Sequence, residues 1–152
     1  MTAANVLFVA VVSLYLAGTI LYLAGVLWSL QSLRRASTLA AVLGFGLHTV
    51  CLGLSLREEA GTMLLRGEFY FSLLAWSLLL IFFFLWWRLR MDFLALLASP
   101  LALILFLSSQ AVGGARQLPE TLAGLFFGLH IGSLFLSISF LAMACGTGAG
   151  YL

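Results

Sequence analysis

The stretch Tyr70-Phe-Ser-Leu-Leu-Ala-Trp-Ser-Leu-Leu-Leu-Ile-Phe-Phe-Phe-Leu-Trp-Trp87 carries no charge and is bracketed by Glu68 and Arg88. A helix needs roughly 20 mostly apolar residues to cross a bilayer, and this run supplies them without alternating polar positions. Lipid offers the backbone no hydrogen-bond partners, so such a run must satisfy its own amides as a helix. Four further runs repeat the pattern. With Tyr70–Trp87 as the third, the expected spans are about 5–30, 38–56, 70–87, 93–112 and 122–145. The sequence predicts an all-α, polytopic membrane helix bundle, and residues 1–152 form a single membrane domain.

The composition agrees. Hydrophobic residues make up 64% of the 152 and charged residues 8%. Soluble domains carry about 25% charged residues, so a water-facing globular domain and intrinsic disorder are both excluded. The apolar total, about 97 residues, allows at most about five spanning helices. Every charge lies between the runs or at their edges: Arg34, Arg35, Arg57, Arg66, Arg88, Arg90 and Arg116, with Glu58, Glu59, Glu68, Asp92 and Glu120. The basic groups are scattered and form no patch, so no nucleic-acid partner is expected. Cys51 and Cys145 form no CxxC pair, and the first run lacks the basic leader of a cleavable signal.

Arginine counts set the expected orientation. Arg34, Arg35, Arg88 and Arg90 lie on one side, against Arg57, Arg66 and Arg116 on the other. Four against three favours an outside N-terminus, with the 57–69 and 113–121 loops outside. Trp28, Trp86 and Trp87 fall at the inner boundary, where indoles favour the headgroups. The 57–69 loop reads either as a short interfacial helix or as an ordinary loop packed on the bundle. Pro119 marks the start of the fifth helix, and Pro100 removes one backbone bond inside the fourth. The glycines of Gly146-Thr-Gly-Ala-Gly-Tyr-Leu152 read as a fraying helix end.

Both histidines, His48 and His130, lie inside spans. An imidazole there is either an interhelical packing bond or a functional group. His48 lies nine residues before Arg57, and His130 nine residues after Thr121. At about 1.5 Å per residue, both fall about 13 Å below the outer boundary. Two neutral imidazoles at one depth suit a metal, and haem iron commonly takes histidine. Zinc would need about two more ligands, of which Cys51 is one candidate. Haem fits better, because two side chains complete its axial coordination. Arg57, Arg66 and Arg116, all on the outer side, are candidates for pairing with its propionates. Gly124, Gly128 and Gly132 form a small-residue seam on the fifth helix, from which His130 points away. Hydrolytic chemistry has no support, since no paired carboxylates, HExxH or GxSxG occur.

Three segments taken in order resemble the cytochrome c assembly membrane proteins (CcsA-, ResC- and CcmC-type), with the HemX-like members nearest. The first is helix 2 with its histidine, leading into Leu64-Leu-Arg-Gly-Glu-Phe-Tyr-Phe-Ser-Leu-Leu-Ala-Trp76. The second is Phe93-Leu-Ala-Leu-Leu-Ala-Ser-Pro-Leu-Ala-Leu103, and the third is Leu129-His-Ile-Gly-Ser-Leu-Phe-Leu-Ser137. The resemblance implies a haem-handling protein of cytochrome c biogenesis in the bacterial inner (cytoplasmic) membrane. It implies His130 as a haem ligand and His48 as the match to a helix-2 histidine. It implies haem, other assembly subunits and apocytochrome c as partners. At most it implies part of a haem lyase or haem-delivery system, not an enzyme in its own right. The family's Trp-Trp-Asp signature is missing, which suits a HemX-like member better than a full lyase. Family members continue beyond a fifth helix, so the resemblance also implies a fragment or a short relative. The competing expectations are a cofactor-free structural or partner-binding subunit and a small transporter.

Overall fold

A computed structural model of the chain describes residues 3–58, 66–89, 92–112 and 125–151. The described residues form five helices: α1 (Ala3–Leu27), α2 (Gln31–Glu58), α3 (Gly67–Leu89), α4 (Ala95–Val112) and α5 (Leu125–Tyr151). A short 3₁₀ turn, Asp92–Leu94, leads into α4. Four helices carry stretches long and apolar enough to cross a membrane: Asn5–Leu27, Gln31–Arg57, Gly67–Leu89 and Leu129–Gly148. Ala95–Ser109 in α4 is a shorter apolar stretch. This is an all-α membrane bundle.

The first two helices pack most closely. On α1 the buried positions run Val11, Tyr15, Gly18, Tyr22 and Gly25. On α2 they run Ser37, Ala41, Gly44, His48 and Leu52. Steps of three and four residues keep one stripe facing the partner helix, and the glycines let the backbones approach. A Cβ at Gly44 would lie 2.8 Å from the Tyr15 ring, and one at Gly25 would lie 3.0 Å from the Arg34 backbone nitrogen. Next, α1 also packs on α4, α4 on α3, and α3 on α5, while α2 meets α3 along a thinner seam. The first four helices thus form a ring, and α5 lies outside it against α3. The central helix is α3, burying Ala75, Leu78, Leu79, Ile81 and Phe82. On α4 the buried residues include Ala98, Ala102 and Phe106, and the Phe106 ring packs on Phe8 and Tyr15 of α1 and on His48 of α2.

Three expectations change. The second helix begins at Gln31, not near residue 38, so Arg34 and Arg35 lie on its opening turns rather than in a loop. The reason is a tight connection: Ser29 adopts φ 55°, its amide donates to the Val26 carbonyl, and the Trp28 amide donates to the Ala24 carbonyl. Arg34 Nε then donates to the Gly25 carbonyl at 3.1 Å, placing a cation on the negative end of α1. The glycine-rich end does not fray at Gly146: α5 continues to Tyr151, and a Cβ at Gly146 would lie 3.0 Å from Leu97. The Gly132 part of the expected seam meets no neighbouring helix, since a Cβ there would have nothing within 4 Å. The buried stripe of α5 is instead Phe135, Ser139 and Met143. The fourth helix is continuous through Pro100. The possible interfacial helix over 59–65, the 113–121 loop, Arg90 and Arg116 lie outside the described residues.

Candidate functional site

His48 sits where four helices meet. It is fully buried on α2. Its Nδ1 lies 3.0 Å from the Tyr15 hydroxyl of α1, and its Nε2 lies 2.8 Å from Ser72 Oγ of α3. The Phe106 ring of α4 closes the site, with its centroid 4.5 Å from that of the imidazole. A neutral imidazole presents one donor and one acceptor, and a hydroxyl does both, so either tautomer satisfies both partners. The spacing of α1 produces this: Tyr15 lies on the stripe that faces α2, opposite Gly44, where no side chain competes for the space.

Other polar side chains join the same helices. Thr19 Oγ1 donates to the Tyr15 carbonyl at 2.8 Å and lies 2.7 Å from Ser99 Oγ of α4. Ser77 of α3 meets Ser139 of α5 at 3.2 Å. Along the thin seam between α2 and α3, Trp76 Nε1 donates to Thr49 Oγ1 at 2.9 Å, and Phe45 stacks on the Trp76 ring. Among the described residues that are not exposed, no fully buried side-chain nitrogen or oxygen lacks a partner.

His130 is placed quite differently. It lies on the exposed face of α5, opposite the buried stripe. No described residue hydrogen-bonds its imidazole. Its carbonyl accepts from Ser133 Oγ at 2.8 Å, and the Ser133 carbonyl accepts from Ser137 Oγ at 2.8 Å. The structure therefore does not bring the two histidines together: one is sealed inside the ring, the other faces outward on a helix that does not pack on α2. The expected depth match rested on distance along each helix, and helix rotation separates the pair. Of the expected propionate partners, Arg57 is exposed in the last turn of α2. Arg66 Nη1 pairs with Glu68 Oε1 at 3.2 Å.

These positions decide which residues fit a haem. His48 does not fit as an axial ligand, since both ring nitrogens are engaged and no edge is open. His130 fits, with an imidazole open to a group outside the chain. For zinc, among the described residues no three histidine, cysteine or acidic side chains gather. Cys51 is half-buried and unbridged. Sequence reasoning missed Tyr15 and Ser72 as the partners of His48. The available signal was the few polar-bearing side chains of the apolar first helix, of which Tyr15, Thr19 and Tyr22 fall on or beside the stripe that includes Gly18.

Comparison of the chain with protein-family models, with curated proteins and with solved structures returns no match.

Proposed function

We propose that the chain is a haem-handling membrane subunit of cytochrome c biogenesis whose open ligand is His130, while His48 holds the bundle together. One observation carries this reading. An imidazole stands exposed on a helix apolar enough to cross a membrane, with no partner among the described residues. A polar group at such a position is costly unless something outside the chain receives it. The ordered resemblance of three segments to cytochrome c assembly proteins supports the same chemistry. When bound, haem would supply an iron, and the His130 imidazole is the side chain of this chain that would hold it. The chain's own part is to hold His130 on a rigid helix. Arg57, exposed in the last turn of α2, is the cation we assign to a propionate carboxylate. Arg66 is less suited, because Glu68 already engages it. The proposed setting is the bacterial inner membrane with the N-terminus outside, and the proposed partners are other assembly subunits and apocytochrome c.

The test is purification in detergent, addition of haemin, and absorbance in the Soret region for wild type, His130→Ala and Tyr15→Phe. Wild type and Tyr15→Phe are expected to bind, and His130→Ala to lose binding at least tenfold. Equal binding by His130→Ala sinks the reading. A second reading, a cofactor-free subunit that docks another membrane helix, is favoured by the row Ser133 and Ser137 beside His130. Absence of any haemin-dependent band in wild type would select it.

A further inference from the structure

Ser72, His48 and Tyr15 do more than join helices. A nucleophile within hydrogen-bond reach of a base, with the base oriented by a third group, is the arrangement of acyl-transfer sites. Here Ser72 Oγ lies 2.8 Å from His48 Nε2, and the Tyr15 hydroxyl lies 3.0 Å from Nδ1. In the tautomer with the proton on Nδ1, that nitrogen donates to the Tyr15 oxygen and Nε2 accepts from Ser72. The base and its orienting partner are buried, His48 fully and Tyr15 nearly so. Ser72 is half-buried, at the thin seam between α2 and α3. The buried pair therefore aims one ring nitrogen at the member that reaches the seam.

Two neighbours on α3 define what meets Ser72 there. Glu68 lies four residues earlier, one turn or about 6 Å nearer the helix start. Its ion pair with Arg66 belongs at the headgroup level, so Ser72 falls just inside, where acyl chains join their headgroups. Trp76 lies four residues later, on the same side of α3. Its Nε1–H donates to the exposed Thr49 Oγ1 at 2.9 Å, and this N–H can exchange that hydroxyl for an oxyanion.

We propose that Ser72 is a nucleophile toward carboxylic esters of long-chain acids held in the bilayer. His48 is the general base, Tyr15 the positioning residue and Trp76 Nε1 the oxyanion donor. The proposal stands apart from the haem reading, since His130 and Arg57 take no part in it. Ser72 Oγ attacks the ester carbonyl carbon, and its proton passes to His48 Nε2. The oxyanion collapses, the bond to the alcohol oxygen breaks, and His48 returns the proton to that oxygen. The products are acyl-Ser72 and a free alcohol. Water from the headgroup layer then attacks the acyl carbon by the same route, releasing the acid and restoring Ser72. A phenol orients the imidazole without the negative charge of a carboxylate, so turnover is slow.

The experiment treats the full chain in lipid nanodiscs with an alkyl fluorophosphonate, which phosphonylates an activated serine and releases fluoride. Mass spectrometry locates the label, and hydrolysis of p-nitrophenyl decanoate gives kcat and KM. Wild type is expected to be labelled at Ser72, with a Ser133→Ala control labelled equally. Ser72→Ala is expected to lose the label, and His48→Gln to react at least about 100-fold more slowly. Tyr15→Phe and Trp76→Phe are expected to lower kcat at least about tenfold with KM unchanged, a split that a loosened bundle does not produce. Thermal unfolding of each variant is read in parallel. Ser72→Ala removes only one half-buried hydroxyl, so it keeps the test decisive if His48→Gln does not fold. No label on wild type, a label that survives Ser72→Ala, or an equal rate in folded His48→Gln overturns the proposal.

Discussion

Replacing His48 by alanine tests the central packing argument most directly. The imidazole makes two interhelical hydrogen bonds, at 3.0 Å to Tyr15 and 2.8 Å to Ser72, and fills the space beside Phe106. Interhelical hydrogen bonds in membranes are worth about 0.6 kcal/mol on average and about 1.7 at most. Two of them therefore contribute about 1–3 kcal/mol. The Tyr15 hydroxyl, on a side chain 2% exposed, would be left without another side-chain partner, which places its bond at the upper end of that range. Ser72 is only half-buried and can turn to its own helix carbonyls, which places its bond at the lower end. Truncating a buried ring to a methyl adds a cavity cost of about 2 kcal/mol or more. His48→Ala should therefore destabilise the bundle by about 3–5 kcal/mol. Tyr15→Phe removes the hydroxyl of this bond and should cost about 1.7 kcal/mol. The double variant should recover about the same amount of the sum, because the two changes delete the same bond. The assay is reversible unfolding by SDS titration in mixed micelles, followed by tryptophan fluorescence. A cost below about 1 kcal/mol for His48→Ala, or strict additivity with Tyr15→Phe, would refute the hub.

Four further outcomes are expected from the same assay or from thermal unfolding by circular dichroism. Gly44→Ala sets a methyl 2.8 Å from a Tyr15 ring that its hydroxyl bond holds in place, and should cost about 1–3 kcal/mol. Gly46→Ala, with nothing within 4 Å, should instead stabilise by about 0.5–1 kcal/mol through helix propensity. Ser29→Gly relieves a left-handed backbone at φ 55° and should raise stability by up to about 1 kcal/mol, so an unchanged midpoint would argue against strain there. Ser99→Ala removes one contact to Thr19, which keeps its bond to the Tyr15 carbonyl, so the loss should stay near about 0.6 kcal/mol.

The helices were legible because lipid leaves a long apolar run one way to satisfy its backbone, and each of the five runs became a helix. Their ends were less legible. Gln31-Ser-Leu-Arg-Arg35 has the composition of a loop, but Arg34 finds the end of α1 and helix starts there instead. The importance of His48 was visible as a rare polar group in an apolar span. Its partners were not, since Tyr15 and Ser72 lie 33 and 24 residues away and are selected by helix rotation. The same gap explains α5. Glycines four apart drew attention to one stripe, whereas the helix buries Phe135, Ser139 and Met143, because α3 offers Ser77 to Ser139. His130 was legible as a candidate for chemistry, but its outward direction followed only from the packing of α5.

The link between the first two helices also bears on how the chain sits in its membrane. Only Trp28, Ser29 and Leu30 separate them, and Arg34 bonds back across the turn. So short a link cannot span a bilayer, and carrying an arginine to the centre of one costs about 2.5–3.5 kcal/mol on insertion scales. The tip, with Arg34 and Arg35, is therefore held at one boundary of the bilayer, and α1 and α2 cross it as one hairpin that the Tyr15–His48 contact closes.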